Sequence, residues 1–76
     1  MRVNLWYDDG RHIWGYFEDN KFRLWDENSK YIWGECISDR IQLWTDDNQY
    51  IWGNLENNEI KLWDEKENFI FGKIDK

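Results

Sequence analysis

The dipeptide Leu-Trp recurs at residues 5–6, 24–25, 43–44 and 62–63, and Ile-Trp-Gly at 13–15, 32–34 and 51–53, with Ile70-Phe71-Gly72 as a fourth copy. Both marks are spaced by nineteen residues, so the 76-residue chain is four repeats with almost nothing left over. No other feature limits the fold as strongly. A fixed short period means that each unit is one supersecondary element that buries its apolar face against its neighbours. The units span about 3–21, 22–40, 41–59 and 60–76, and without a Pro, a Ser/Gly-rich linker or a shift in composition they form one domain.

Each repeat holds two runs of alternating apolar and polar residues, about five long, separated by turn-forming residues. A 3.6-residue period is missing, so the expected class is all-β: eight short antiparallel strands from four hairpins. Within repeats lie "DDGR", "ENSK", "DDNQ" and "EKEN". The third residue of each (Gly10, Ser29, Asn48, Glu67) fits the left-handed position of a three-residue loop, well for Gly and Asn and poorly for Glu. The fourth hairpin is therefore expected to be the worst formed. Between repeats, Asp19-Asn20, Ser38-Asp39 and Asn57-Asn58 suit two-residue turns, where Asn and Asp tolerate positive φ.

Turn lengths set register. The three-residue loop pairs Trp25 with Tyr31 and Arg23 with Trp33; the two-residue loop pairs Trp14 with Trp25, Trp33 with Trp44 and Trp52 with Trp63. Every Trp then faces an aromatic across a strand pair, as a structural ladder. One sheet face collects Val3, Leu5, Ile13, Gly15, Phe17, Phe22, Leu24, Ile32, Cys36, Ile41, Leu43, Ile51, Leu55, Ile60, Leu62, Ile70 and Ile74, and is the expected core. The other face carries Trp6, Trp14, Trp25, Trp33, Trp44, Trp52, Trp63 and Phe71 among polar residues. Each repeat advances the register by about two residues, so eight strands accumulate a shear near eight. The last strand then meets the first, with Phe71 beside Trp6. The expected architecture is a closed or nearly closed meander barrel with pseudo-fourfold symmetry, which removes the sheet edges that an open single-layer sheet or a sandwich would leave.

Size and charge narrow the function. A chain this short sits where one core is marginal, and the lone Cys36 forms no internal disulfide and no zinc site. The formal charge of −6 opposes direct binding to nucleic acid. The first residues, "MRVNLWYDDG", lack the apolar stretch of a secretory leader, and no run is long enough to span a bilayer, so the chain reads as soluble and cytoplasmic.

The segment "IKLWDEKENFIFG" (60–72) resembles the outer hairpin of a blade in WD-repeat propellers, but a blade needs four strands where nineteen residues supply two, and nothing is carried over from it. Taken whole, the repeats resemble the short bacterial β-hairpin repeat families rich in Trp and Gly, of MORN type and WG type, although their consensus spacing differs from nineteen. That resemblance implies an interaction or structural module rather than an enzyme.

No constellation reads as catalysis. His12, the one histidine, stands where Tyr31, Tyr50 and Phe69 stand in the other repeats, which makes it a ladder residue. Cys36 occupies the core position of Phe17, Leu55 and Ile74 and reads as a small buried hydrophobe. The acidic pairs Asp8-Asp9, Asp26-Glu27, Asp46-Asp47 and Asp64-Glu65 read as solvated turn residues, since no calcium-loop spacing is present. No cofactor or metal is expected. The leading functional reading is a non-catalytic binding or assembly module in which the eight outward aromatics, Trp6 through Phe71, engage a protein partner or a second copy. Coverage of the rings by long polar stems, with cation–π contact from Arg23 to Trp33 and Lys61 to Phe71, is compatible with it. A multivalent lectin-like module is the alternative, because Trp beside Asp and Asn suits sugar rings and hydroxyls. A third reading, a small acidic inhibitor imitating nucleic acid, is opposed by the even scatter of Lys and Arg.

Overall fold

The computed structural model describes residues 1–75. Eight strands, β1 (Arg2–Tyr7), β2 (His12–Glu18), β3 (Lys21–Asp26), β4 (Tyr31–Ile37), β5 (Arg40–Thr45), β6 (Tyr50–Glu56), β7 (Glu59–Asp64) and β8 (Phe69–Asp75), pair antiparallel in chain order. The sheet closes where β8 pairs β1, with Trp6 opposite Phe71 and Asn4 opposite Lys73. The turns supply this register. Asp19, Asn20, Ser38, Asp39, Asn57 and Asn58 all have positive φ, the geometry of two-residue turns whose twist matches that of the strands. Gly10, Ser29, Asn48 and Glu67 take the left-handed position of the three-residue loops. Leu5 pairs Ile13, and Ile13 pairs Asp26, which lies two residues beyond Leu24, the counterpart of Leu5. That advance of two per repeat gives the closed barrel a shear of eight, with an interior that side chains can fill.

The interior is built in layers of four, one residue from each repeat. Leu5, Leu24, Leu43 and Leu62 form one layer and Ile13, Ile32, Ile51 and Ile70 the next, all essentially without solvent contact. The layers beyond them are irregular but matched in size. Phe22 shares a layer with the smaller Val3, Phe17 shares one with Cys36, and the two phenylalanine rings meet at 4.4 Å between centroids. Cys36 is buried, as expected of a small hydrophobe, and burial pushes its thiol pKa up. Leu55 departs from the expected core: it lies near the mouth formed by the two-residue turns and is only half-buried.

Gly15, Gly34, Gly53 and Gly72 hold the layers together by what they lack. A Cβ on any of them would stand 1.9–2.0 Å from a carbonyl oxygen of the next strand and 2.7 Å from the Cα of that strand's layer leucine. At these points two backbones approach as closely as bare chain allows.

The other mouth carries an inward layer that the alternating pattern implies but the expected core omitted: Tyr7, Asp26, Thr45 and Asp64. Asp64 is buried and Asp26 half-buried, so the reading of these acids as solvated turn residues is corrected. They point inward because they follow an outward Trp, and they are satisfied by their own loops. Asp64 Oδ1 accepts from the amides of Lys66 and Asn68 at 2.9 Å each, and Asp26 Oδ1 does the same for Asn28 and Lys30. The Thr45 hydroxyl accepts from the Gln49 amide at 3.0 Å and donates to Asp47. Tyr7 lies against the core with the Arg11 guanidinium 4.0 Å above its ring.

Candidate functional site: an outward aromatic belt

All eight singled-out aromatics face outward, and alternation along the strands puts them in one belt around the barrel. The belt is organised as four columns of three rings, one per hairpin. In the second repeat Tyr31 lies between Trp25 and Trp33, at 5.7 Å and 5.6 Å between centroids, and it is nearly parallel to Trp33. The third and fourth repeats repeat this with Trp44-Tyr50-Trp52 and Trp63-Phe69-Phe71. In the first, His12 takes the middle place. It stacks on Trp6 at 5.0 Å, lies tilted against Trp14, and shares a hydrogen bond with Asn4 Oδ1 at 3.0 Å through Nε2. The ladder role of His12 therefore holds, and it completes a column.

Two expected contacts take another form. Trp14 and Trp25, Trp33 and Trp44, and Trp52 and Trp63 are register partners, yet their rings lean away from each other toward the middle ring of their own hairpins. The reason is local. The middle ring sits across a tight hairpin from one Trp and two residues along the strand from the other, so a single side chain contacts both. The cation–π pairs expected at Arg23 and Lys61 are likewise replaced, among the described residues, by Arg11 over Tyr7. Long stems therefore leave the belt partly open: Trp6, Trp14, Trp33, Trp44, Trp52 and Phe71 are 36–42% exposed. Trp25 is half-buried, with the Tyr16 ring edge-on to it 6.5 Å away. Trp63 is also half-buried.

Shallow grooves run between the columns. On the third repeat a groove of about 590 Å³ is lined by Arg40, Gln42, Tyr50, Trp52, Asn54 and Trp63. The groove on the fourth repeat, about 600 Å³, is lined by the residues nineteen positions on: Glu59, Lys61, Phe69, Phe71, Lys73 and, across the barrel's closure, Trp6. On the first repeat Arg2, Asn4, His12, Trp14 and Tyr16 line a smaller one of about 190 Å³. The aromatic positions recur while the polar positions change from repeat to repeat. Each groove thus offers the same platform with different hydrogen-bonding groups beside it.

The charged loops pair locally. Arg11 Nε lies 2.9 Å from Asp9, and the Arg11 amide and side chain hold the Asp9 carboxyl below the usual carboxylate range. Lys30 reaches across to the next repeat's loop and meets Asp47 at 2.9 Å. Among the described residues no group of three or more His, Cys, Asp and Glu side chains is gathered as a cation site, and no helix is long and apolar enough to cross a membrane. What the surface offers chemically is flat apolar area edged with amides and isolated charges. No family model, curated protein or solved structure matches this chain.

Proposed function

We propose that this protein is a non-catalytic binding module whose aromatic belt engages a protein partner, a second copy of the chain included. One observation carries the reading: two outward positions keep an aromatic in all four repeats, and six of those eight rings remain more than a third exposed although the interior is already filled. Stacking within the columns accounts for part of each ring's burial, and the open remainder is large, rigid contact area of the kind concentrated at interface hot spots. Sedimentation equilibrium over a range of concentrations, beside capture of partners by the wild-type chain and by a Trp33→Gln/Trp52→Gln variant, tests it. Self-association or a captured protein lost in the variant is expected. A monomer whose captured proteins are the same with and without the belt indoles would refute it.

A second reading, carbohydrate binding, is favoured by the grooves. An exposed indole beside Gln42 and Asn54 offers a pyranose an apolar face to stack on and amides for its hydroxyls. Four related platforms on one small barrel would make such binding multivalent.

A further inference from the structure

The three grooves differ at the wall position occupied by Arg2, Arg40 and Glu59, whose counterpart in the second repeat is Lys21. Antiparallel pairing sets each of these between two cross-strand neighbours. Arg2 stands opposite Asp75, and Lys21 opposite both Glu18 and Glu35. Glu59 has Glu56 on one side and Lys73 on the other. Arg40 stands between Ile37 and Asn54, so it alone of the three basic residues faces no carboxylate on either neighbouring strand. The cause is Ile37, which occupies the place of Glu18, Glu56 and Asp75 and is 56% exposed, more than any other large hydrophobic residue. The ion pairs among the described residues join Arg11 to Asp9 and Lys30 to Asp47, so Arg2, Lys21 and Arg40 are all outside them, and Arg40 differs from the other two in having no carboxylate directly across from it. It is also the one charged group lining the third-repeat groove, in a chain whose net charge is −6.

We propose that the third-repeat groove binds an acidic pyranose, a sugar ring bearing a carboxylate, with the ring laid on Trp52 and the carboxylate on Arg40. This rests on the carbohydrate reading above and narrows it to one groove and one charge. The geometry favours such a ligand on three counts. Trp52 is held flat by Tyr50, at 5.6 Å and 21° between planes, and keeps 39% of its surface open. Gln42 lies directly across from Trp52 and Asn54 directly across from Arg40, so amides flank both the platform and the cation. The guanidinium presents a planar fork that suits a carboxylate in two-point contact, and none from the protein competes for it. The equivalent groove on the fourth repeat is lined by Lys61 and Lys73 together with Glu59 and Asp75, so its cations are balanced by carboxylates of its own, whereas Arg40 has none beside it in the third-repeat groove.

The test is a titration of the full chain followed by the indole N–H resonances, using sodium glucuronate, sodium galacturonate, the matching neutral hexoses, and sodium acetate. At least one uronate is expected to move the Trp52 and Trp63 signals with an affinity about fivefold above its neutral partner, the gain of an exposed but well-formed ion pair. Acetate is expected to leave them unmoved. Arg40→Gln, which removes the cation, and Ile37→Glu, which supplies the missing carboxylate from the protein itself, should each erase the fivefold preference of acid over neutral sugar. Both positions are exposed on the wall, and an unchanged spectrum away from the groove confirms the fold of each variant. Equal affinity for acid and neutral sugars would overturn the acidic-ligand inference while the carbohydrate reading stands. Shifts produced equally by acetate, or spread alike over all four columns, would also overturn it. If no sugar moves any indole signal, the carbohydrate reading falls with it.

Discussion

Gly34 and Gly10 separate two reasons for a glycine. Gly34 faces inward with an extended backbone, and a methyl group there would meet the carbonyl oxygen of Gln42 at 1.9 Å and the Cα of Leu43 at 2.7 Å. Main chain cannot swing aside as a side-chain tip can, so Gly34→Ala is expected to cost at least about 3 kcal/mol by forcing β4 away from β5. Gly10 has φ of +93° and open space within 4 Å of where a Cβ would stand, so Gly10→Ala should cost about 1 kcal/mol through conformation alone. Urea denaturation of both variants checks this, and equal losses would mean that the close approach of the strands is not what requires the glycine. The inward parity of Gly34 was legible from its place in Ile-Trp-Gly. The direction in which the neighbouring indoles turn was not, because spacing assigns a side chain to a face but leaves its rotamer to local contacts. The inward parity of Asp64 is legible in the same way. Leu62 inward and Trp63 outward leave Asp64 inward, yet its acidic character and its place beside a turn suggested solvent.

The hairpin is the element in which sequence and structure agree most closely, and its exceptions are instructive. Glu67 holds φ of +64°, a conformation that costs a side-chain-bearing residue roughly 1–2 kcal/mol. The expectation that this residue makes the fourth hairpin the worst formed is corrected by the structure. The loop closes like the others, with Glu67 donating its amide to the Asp64 carbonyl, and Asp64 compensates by accepting from two loop amides and from Asn68 Nδ2 at 3.1 Å. Glu67→Gly should therefore stabilise the protein by roughly 0.5–1 kcal/mol, less than the full conformational cost because glycine also loosens the unfolded chain. A urea midpoint that rises at constant slope is the expected result. The second and third loops are joined through Lys30 and Asp47, and this link is pH-dependent. The Thr45 hydroxyl first, and then Lys30, hold the Asp47 carboxyl below its usual range, while Asp47 raises Lys30. The Asp47 contribution is complete above the ordinary aspartate value of about 3.9 and disappears as pH falls through the depressed folded value. The Lys30 contribution is complete below about 10.4 and disappears as pH rises through its raised value. In a carboxyl titration followed by NMR, Thr45→Val should raise the Asp47 pKa more than Lys30→Met does; the reverse order would make the ion pair, not the hydroxyl, the main cause.

At the scale of the molecule, closure is the property on which everything else depends, because the belt is continuous only if β8 and β1 are neighbours. Arg2 pairs Asp75 as Lys21 pairs Glu18, so the closing seam has the same register as a joint spanned by a two-residue turn. The amide of Ile74 donates to the Asn58 carbonyl just as that of Cys36 donates to Asn20, which shows the last hairpin seated like an internal one. A circular permutant should therefore fold. Joining Asp75 to Arg2 through Asn-Gly, the pair suited to a two-residue turn with both φ positive, and opening the chain between Asn57 and Asn58 conserves every strand pair but relocates the ends. The permutant is expected to remain monomeric at low concentration, to unfold cooperatively within about 1–2 kcal/mol of the parent, and to retain the indole resonances of all four columns. Deleting β8 should do the opposite. It strips β7 and β1 of partners together and uncovers Ile70 and Ile74 contacts that a core of this size cannot spare, so the shortened chain should associate through its edges. A permutant that fails to fold while the β8 deletion stays soluble, monomeric and cooperative would mean that the seam adds little and that the repeats stand as an open sheet.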